Sequence, residues 1–142
     1  MRRFLTLACM TAILISCGSA KKTTSIDSLS GEWSIVKIDG NEVKVTGDQD
    51  LPFLGFNTKE GRVYGNAGCN LLTGALNADV KAGTIDFGAL GSTRRMCPDM
   101  SLEQQVLESL GKVAQYKIMN NGNIELKDAT GKTVIELNNR SK

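Results

Sequence analysis

"AQYKIMNNGNIELKDATGKTVIEL", residues 114–137, reads as three short strands joined by two tight turns. Apolar and polar side chains alternate along "AQYKIM" (114–119), "IELK" (124–127) and "TVIEL" (133–137). Asn121-Gly122 supplies two adjacent positions that tolerate positive φ, the usual requirement of a two-residue hairpin. Gly131 marks the second reversal. Runs paired in sequence through turns this short must lie antiparallel, because a parallel connection needs a crossover of a dozen residues or more.

Working back toward the N-terminus, the same pattern recurs. "EWSIVKI" (32–38) is apolar on both faces, Trp33 and Ile35 opposite Val36 and Ile38, which predicts a strand buried on both sides. "LPFLGF" (51–56) has Pro52 near its start, suiting an edge or a strand entry. "RVYGNAG" (62–68) follows the Glu60-Gly61 turn, and "LLTGAL" (71–76) comes next. In "TIDFGAL" (84–90), Ile85, Phe87 and Ala89 share one face and Asp86 takes the other.

One segment breaks the period of two. In "SLEQQVLESL" (101–110), Leu102, Val106 and Leu110 stand four apart and Leu107 widens the stripe. That predicts a single helix with Glu103, Gln104 and Glu108 turned to solvent. Ser101 and Gln104 read as a capping box, Gly111 as a left-handed C-terminal residue, and Asp99 as a charge complementing the helix N-terminus. The fold class is α+β: a mostly antiparallel curled sheet or cracked β-barrel with one α-helix packed across it.

The chain of 142 residues suits one domain, with 41% hydrophobic and 23% charged residues, enough to bury a core. Histidine is absent, which rules out Ser-His-Asp and Cys-His nucleophile pairs and any His-ligated metal. No cofactor or metal site is expected. Arg2 and Arg3 precede the mostly apolar run Phe4 to Ile15, an export signal too short to span a bilayer. It ends in "LISC" (14–17), which resembles a bacterial lipobox; the resemblance implies cleavage after Ser16 and lipidation of Cys17. Cleavage there removes Arg2 and Arg3, leaving 15 cationic against 15 anionic side chains, so nothing points to a nucleic-acid partner. The division is a lipoprotein signal peptide at 1–16, a lipidated N-terminus and flexible tether at 17–30, and a domain at 31–140.

A strand opening at "GEW" is followed by "RVYGNAGCN", an apolar strand reaching "STRRMC", a Glu-containing helix and paired closing strands. This order resembles the META domain, the HslJ-like family of small bacterial envelope proteins, often lipoproteins. The resemblance covers roughly Leu29 to Asn138. It rests on Gly65, Asn66, Gly68, Cys69 and Asn70 in one motif and Ser92, Thr93, Arg94, Met96 and Cys97 in the other. A bulky residue, often tyrosine, that follows Asn70 in the family is replaced here by Leu71-Leu72. The resemblance implies a cracked antiparallel barrel crossed by a helix, a link to heat and drug stress at the envelope, and no established reaction.

Within "GNAGCN" (65–70) the cysteine admits three readings: a nucleophile, part of a phosphate-binding loop, or a structural corner. A thiolate needs a base or cation beside it, and the stretch matches neither glycine-rich phosphate motif. With Cys9 removed and Cys17 lipidated, Cys69 and Cys97 are an even pair in an exported domain. A disulfide, two reduced thiols in contact and an active redox couple all stay open, the disulfide needing the fewest assumptions. Gly65 and Gly68 would let the chain bend, Asn66 and Asn70 would satisfy backbone groups, and Thr93 and Arg94 would tie the strand end to the helix. Asp48, Asp50, Asp99 and Glu103 read as surface charges, with a carboxylate pair for hydrolysis as the rival.

The expected function is therefore a non-enzymatic, lipid-anchored envelope protein, a monomer on the periplasmic face of the outer membrane. It would support stress tolerance by contacting another envelope protein or an apolar ligand. The alternatives are a thiol-disulfide redox protein using Cys69 and Cys97, and a lipocalin-like carrier, which would need a large cavity where a filled core is expected.

Overall fold

The C-terminal meander forms as its turns require. In the computed structural model, which describes residues 25–47 and 49–141, Val113–Ile118 (β9), Ile124–Asp128 (β10) and Thr133–Asn139 (β11) pair in sequence order. Gly122 and Gly131 take positive φ, 85° and 89°, at the two reversals. The remaining strands are Gly31–Ile38 (β1), Asn41–Glu42 (β2), Phe53–Asn57 (β3), Arg62–Asn66 (β4), Leu71–Ala75 (β5), Asn77–Asp79 (β6), Thr84–Asp86 (β7) and Gly91–Ser92 (β8). They add to one sheet in the order β6-β7-β9-β10-β11-β1-β3-β4-β5-β8, with β2 beside β1, and every pairing is antiparallel.

That order forces the sheet to curl. Only Leu76 separates β5 from β6, yet the two strands stand near opposite ends of the strand order. One residue spans about 3.5 Å, so the path bends round until its ends approach, giving the half-barrel expected of the α+β class. The Leu76 N–H donates to Gly61 O at 2.8 Å, which ties the crossing point to the β3–β4 turn.

The inner face holds one core in which Trp33, Leu54, Phe56, Val63, Ile85, Phe87, Leu126 and Leu137 are buried. Phe56 and Phe87 stack with centroids 6.1 Å apart. β1 corrects the two-faced reading of "EWSIVKI". Its register with β11 slips between Ile35 and Lys37, so Val36 is an extra residue in the strand. The bulge returns Ile38 to the face of Trp33 and Ile35, and all three are buried while Val36 is half-buried. The alternation in 84–90 also ends early. Gly88 takes φ 57°, held by its N–H to Asp86 Oδ1 at 2.8 Å, and Ala89 is exposed.

Ser101–Leu110 (α1) crosses near β1 and β11, burying Val106 and Leu110 with Leu102 and Leu107 at the margin. Its ends differ from expectation. Ser101 is inside the helix and its hydroxyl turns back to Asp99 Oδ1 at 2.6 Å, so no capping box forms. Gly111 has φ −65° and its N–H reaches Leu107 O at 3.0 Å. The Lys112 N–H also bonds back to Ser109 O at 3.1 Å, so the last turn closes right-handed. Ile26–Leu29, in the stretch read as tether, form a 3-10 turn whose Leu29 is fully buried and accepts from Trp33 Nε1 at 2.8 Å. Among the described residues every buried core side chain lies between Leu29 and Leu137. Among the described residues no helix is long and apolar enough to cross a membrane.

Candidate functional site

The two motifs meet at the end of β4 and β5, in front of the first turn of α1. Gly65 is there because β4 lies close to β3: a Cβ at this position would overlap the carbonyl oxygen of Phe53. Gly68 has φ 126°, a region open to glycine alone in practice, with Leu102 against it. The Gly68 N–H donates to Asn66 Oδ1 at 2.6 Å and the Ala67 N–H to Asn70 O at 2.9 Å, closing a tight loop between β4 and β5.

Cys69, buried in that loop, is disulfide-bonded to Cys97, with Cα atoms 6.2 Å apart. Asn70 does most of the local bonding. Its Nδ2 donates to Arg95 O at 3.1 Å and Glu103 Oε1 at 2.8 Å; its Oδ1 accepts from Thr93 Oγ1 and the Arg95 N–H, both at 2.7 Å. All four capacities of a buried amide are thus filled.

Glu103 is the residue that pattern reading placed wrongly. It is 5% exposed and points from α1 into the loop. Its Oε2 accepts from the Cys69 N–H at 3.2 Å and the Asn70 N–H at 2.7 Å, and Oε1 takes Asn70 Nδ2. Burying a carboxylate is tolerable only with such partners, and here backbone amides replace a cation. Its position was readable: Glu103, Val106 and Leu110 stand at i, i+3 and i+7, so the carboxylate falls on the buried stripe.

The other motif residues divide. Thr93 binds Asn70 and also accepts the Leu71 N–H at 3.1 Å, so it ties two strands together and not strand to helix. The tie expected of Arg94 is made by the backbone of Arg95; the side chains of Arg94 and Arg95 are exposed and enter no ion pair among the described residues. Ser92 pairs with Leu72 on the short edge strand, and Met96 is 92% exposed. Asp99 accepts the Ser101 hydroxyl and N–H at the helix start, and these bonds, the hydroxyl first, hold its carboxyl below the usual range. The rival carboxylate pair does not assemble around Glu103, whose oxygens face loop amides. Asp50 is exposed, and Cys17 and Asp48 lie outside the described residues.

A separate groove of about 460 Å³ runs between α1 and the segment after β1, lined by Asp39, Glu42, Lys44, Glu108 and Lys112 among others. Its charges are mixed in sign and Asp39 already pairs with Lys132 at 3.1 Å. The space inside the curl is occupied by core side chains.

The geometry defines a class: a small half-barrel in which Cys69, Asn70, Thr93 and Cys97 of the two motifs clamp one corner to a crossing helix. The family model described as META domain matches residues 27–141. The chain belongs to the META domain family. No curated protein matches it. Among solved structures, a protein from Burkholderia xenovorans determined by NMR is similar at TM-score 0.61 and 21% identity, covering 82% of this chain and 88% of that one. A second NMR structure is similar at TM-score 0.57 and 23% identity, covering 77% and 88%. A DUF4847 family protein from Bacteroides vulgatus, solved by crystallography, is similar at TM-score 0.55 and 18% identity, covering 81% and 96%. At these identities the likeness is one of fold.

Proposed function

We propose that this protein is a non-enzymatic module anchored by lipid on Cys17 at the cell envelope. It would support stress tolerance there by binding another envelope component through its surface. The observation that carries the reading is how the corner is used: the motif residues Cys69, Asn70 and Thr93, together with Glu103 of the helix, are all engaged with one another or with backbone. A constellation so occupied holds a shape, and leaves its chemistry to what the surface presents. The disulfide suits an oxidising compartment, and "LISC" (14–17) suits export with an anchor. Near-neutral charge after cleavage gives no footprint for nucleic acid.

Chemical crosslinking in intact membranes, with and without heat stress, tests the reading beside an assay of the purified protein on a disulfide substrate. The expected result is a specific envelope partner, enriched under stress, and no appreciable turnover. Turnover without a captured partner would favour a redox protein working through Cys69 and Cys97.

A further inference from the structure

Three large hydrophobic side chains stand exposed among the described residues: Tyr64 at 40%, Leu71 at 57% and Met96 at 92%. Register places Tyr64 opposite Thr73 and Asn66 opposite Leu71, so Tyr64 and Leu71 share the outer face of β4 and β5, with the Tyr64 ring lying over Gly55 of β3 toward Glu32. Thr93 is bonded to Leu71 through backbone and side chain, at 3.1 Å each, and Met96 follows three residues on. Arg62 shares the outer face of β4 with Tyr64, and Arg94 and Arg95 precede Met96. None of these three arginines enters an ion pair among the described residues. Glu32 engages Arg140 and the Tyr64 hydroxyl, and Asp99 is bonded to Ser101.

We infer that this face docks on an anionic bilayer surface. Leu71 and Met96, exposed beside the unpaired Arg94 and Arg95, match the layering of a headgroup region, where apolar groups reach the acyl boundary and guanidinium groups meet phosphate. The segment bearing Met96 is rigid, held by the disulfide at Cys97 and by Asn70 at Arg95, so little order is lost on contact. The patch is too small for tight binding from solution. The inference rests on the anchored reading in one respect: a lipid on Cys17 would hold the domain at high local concentration beside the bilayer.

The experiment uses residues 25–142, which span the family match and every buried core side chain among the described residues, co-sedimented with vesicles of phosphatidylglycerol and phosphatidylethanolamine, or of phosphatidylcholine alone. Partition to the anionic vesicles is expected, weakening as salt is raised. It should fall about tenfold in Leu71→Asp/Met96→Asp and about tenfold in Arg94→Ser/Arg95→Ser, and change less than about twofold in Lys112→Ser/Lys117→Ser. Equal losses in the lysine control would overturn the assignment to this face. A second measurement uses the full chain in vesicles of brominated lipid, with Met96→Trp quenched beyond the buried Trp33 background and Lys117→Trp not. No partition in the first arm together with no quenching in the second overturns the proposal and leaves the patch to a protein partner. Absence of lipid on Cys17 would refute the anchored reading while leaving the sedimentation result intact.

Discussion

Glu103→Ala would strand three donors: two backbone N–H groups and the Asn70 amide. A buried unsatisfied group costs on the order of 1–3 kcal/mol, so a loss of about 3 kcal/mol and a fall in Tm of roughly 10 °C are expected in thermal unfolding. Asn70→Ala should cost a similar amount. The double variant should fall well short of the sum, because both belong to one network. Met96→Ser, at an exposed site, should stay within about 0.5 kcal/mol. The glycines differ in the same physical way. A Cβ at Gly65 would meet backbone, whereas one at Gly55 would meet the exposed ring of Tyr64, which can swing aside. Gly65→Ala is therefore expected to lose about 2–3 kcal/mol and Gly55→Ala clearly less, as read by chemical denaturation. At this scale the sequence showed which residue types cluster but not what they touch. Asn70 reads as a turn residue, and its four bonds depend on Thr93, Arg95 and Glu103, brought together from three places in the chain.

Elements were more legible than their ends. The helix boundaries at Ser101 and Leu110 follow from a period that no neighbouring strand shares. The meander follows from Asn121-Gly122 and Gly131. The short strands β2, β6 and β8 were not legible, since two or three residues carry no periodicity and exist only by pairing with a distant partner. The bulge at Val36 was hidden for a related reason: the partner strand, 100 residues on, decides which face Ile38 joins. Asp99 allows a test at the helix start. Its carboxyl is held low in the folded state, so the bond to Ser101 stabilises above the ordinary aspartate pKa and is lost as pH falls through the lower folded value. The Tm gap between wild type and Asp99→Ala should be steady from neutral pH down to about 5 and narrow below about 4. A gap independent of pH would show that the carboxylate charge is not what binds Ser101.

For the whole molecule, the disulfide closes a 28-residue separation across the corner where β4, β5 and α1 meet. The chain-entropy relation gives about 3–4 kcal/mol for such a loop. Cys69→Ala and Cys97→Ala should lose comparable amounts, and the double variant little more than either, because one link is broken in each case. The curl itself was implied but not locatable from sequence; it depends on Leu76 joining strands from opposite ends of the sheet. In the proposed function, localisation would depend on residues ahead of the domain, giving an anchored module with Cys17 committed to lipid and Cys69 and Cys97 to structure. The most direct measurement is the intact mass of the protein from the membrane fraction, alkylated without reduction. The expected species is a chain beginning at Cys17, carrying a lipid mass and no alkylated thiol. An unlipidated chain starting beyond residue 17, or one with Cys69 and Cys97 both alkylated, would contradict it.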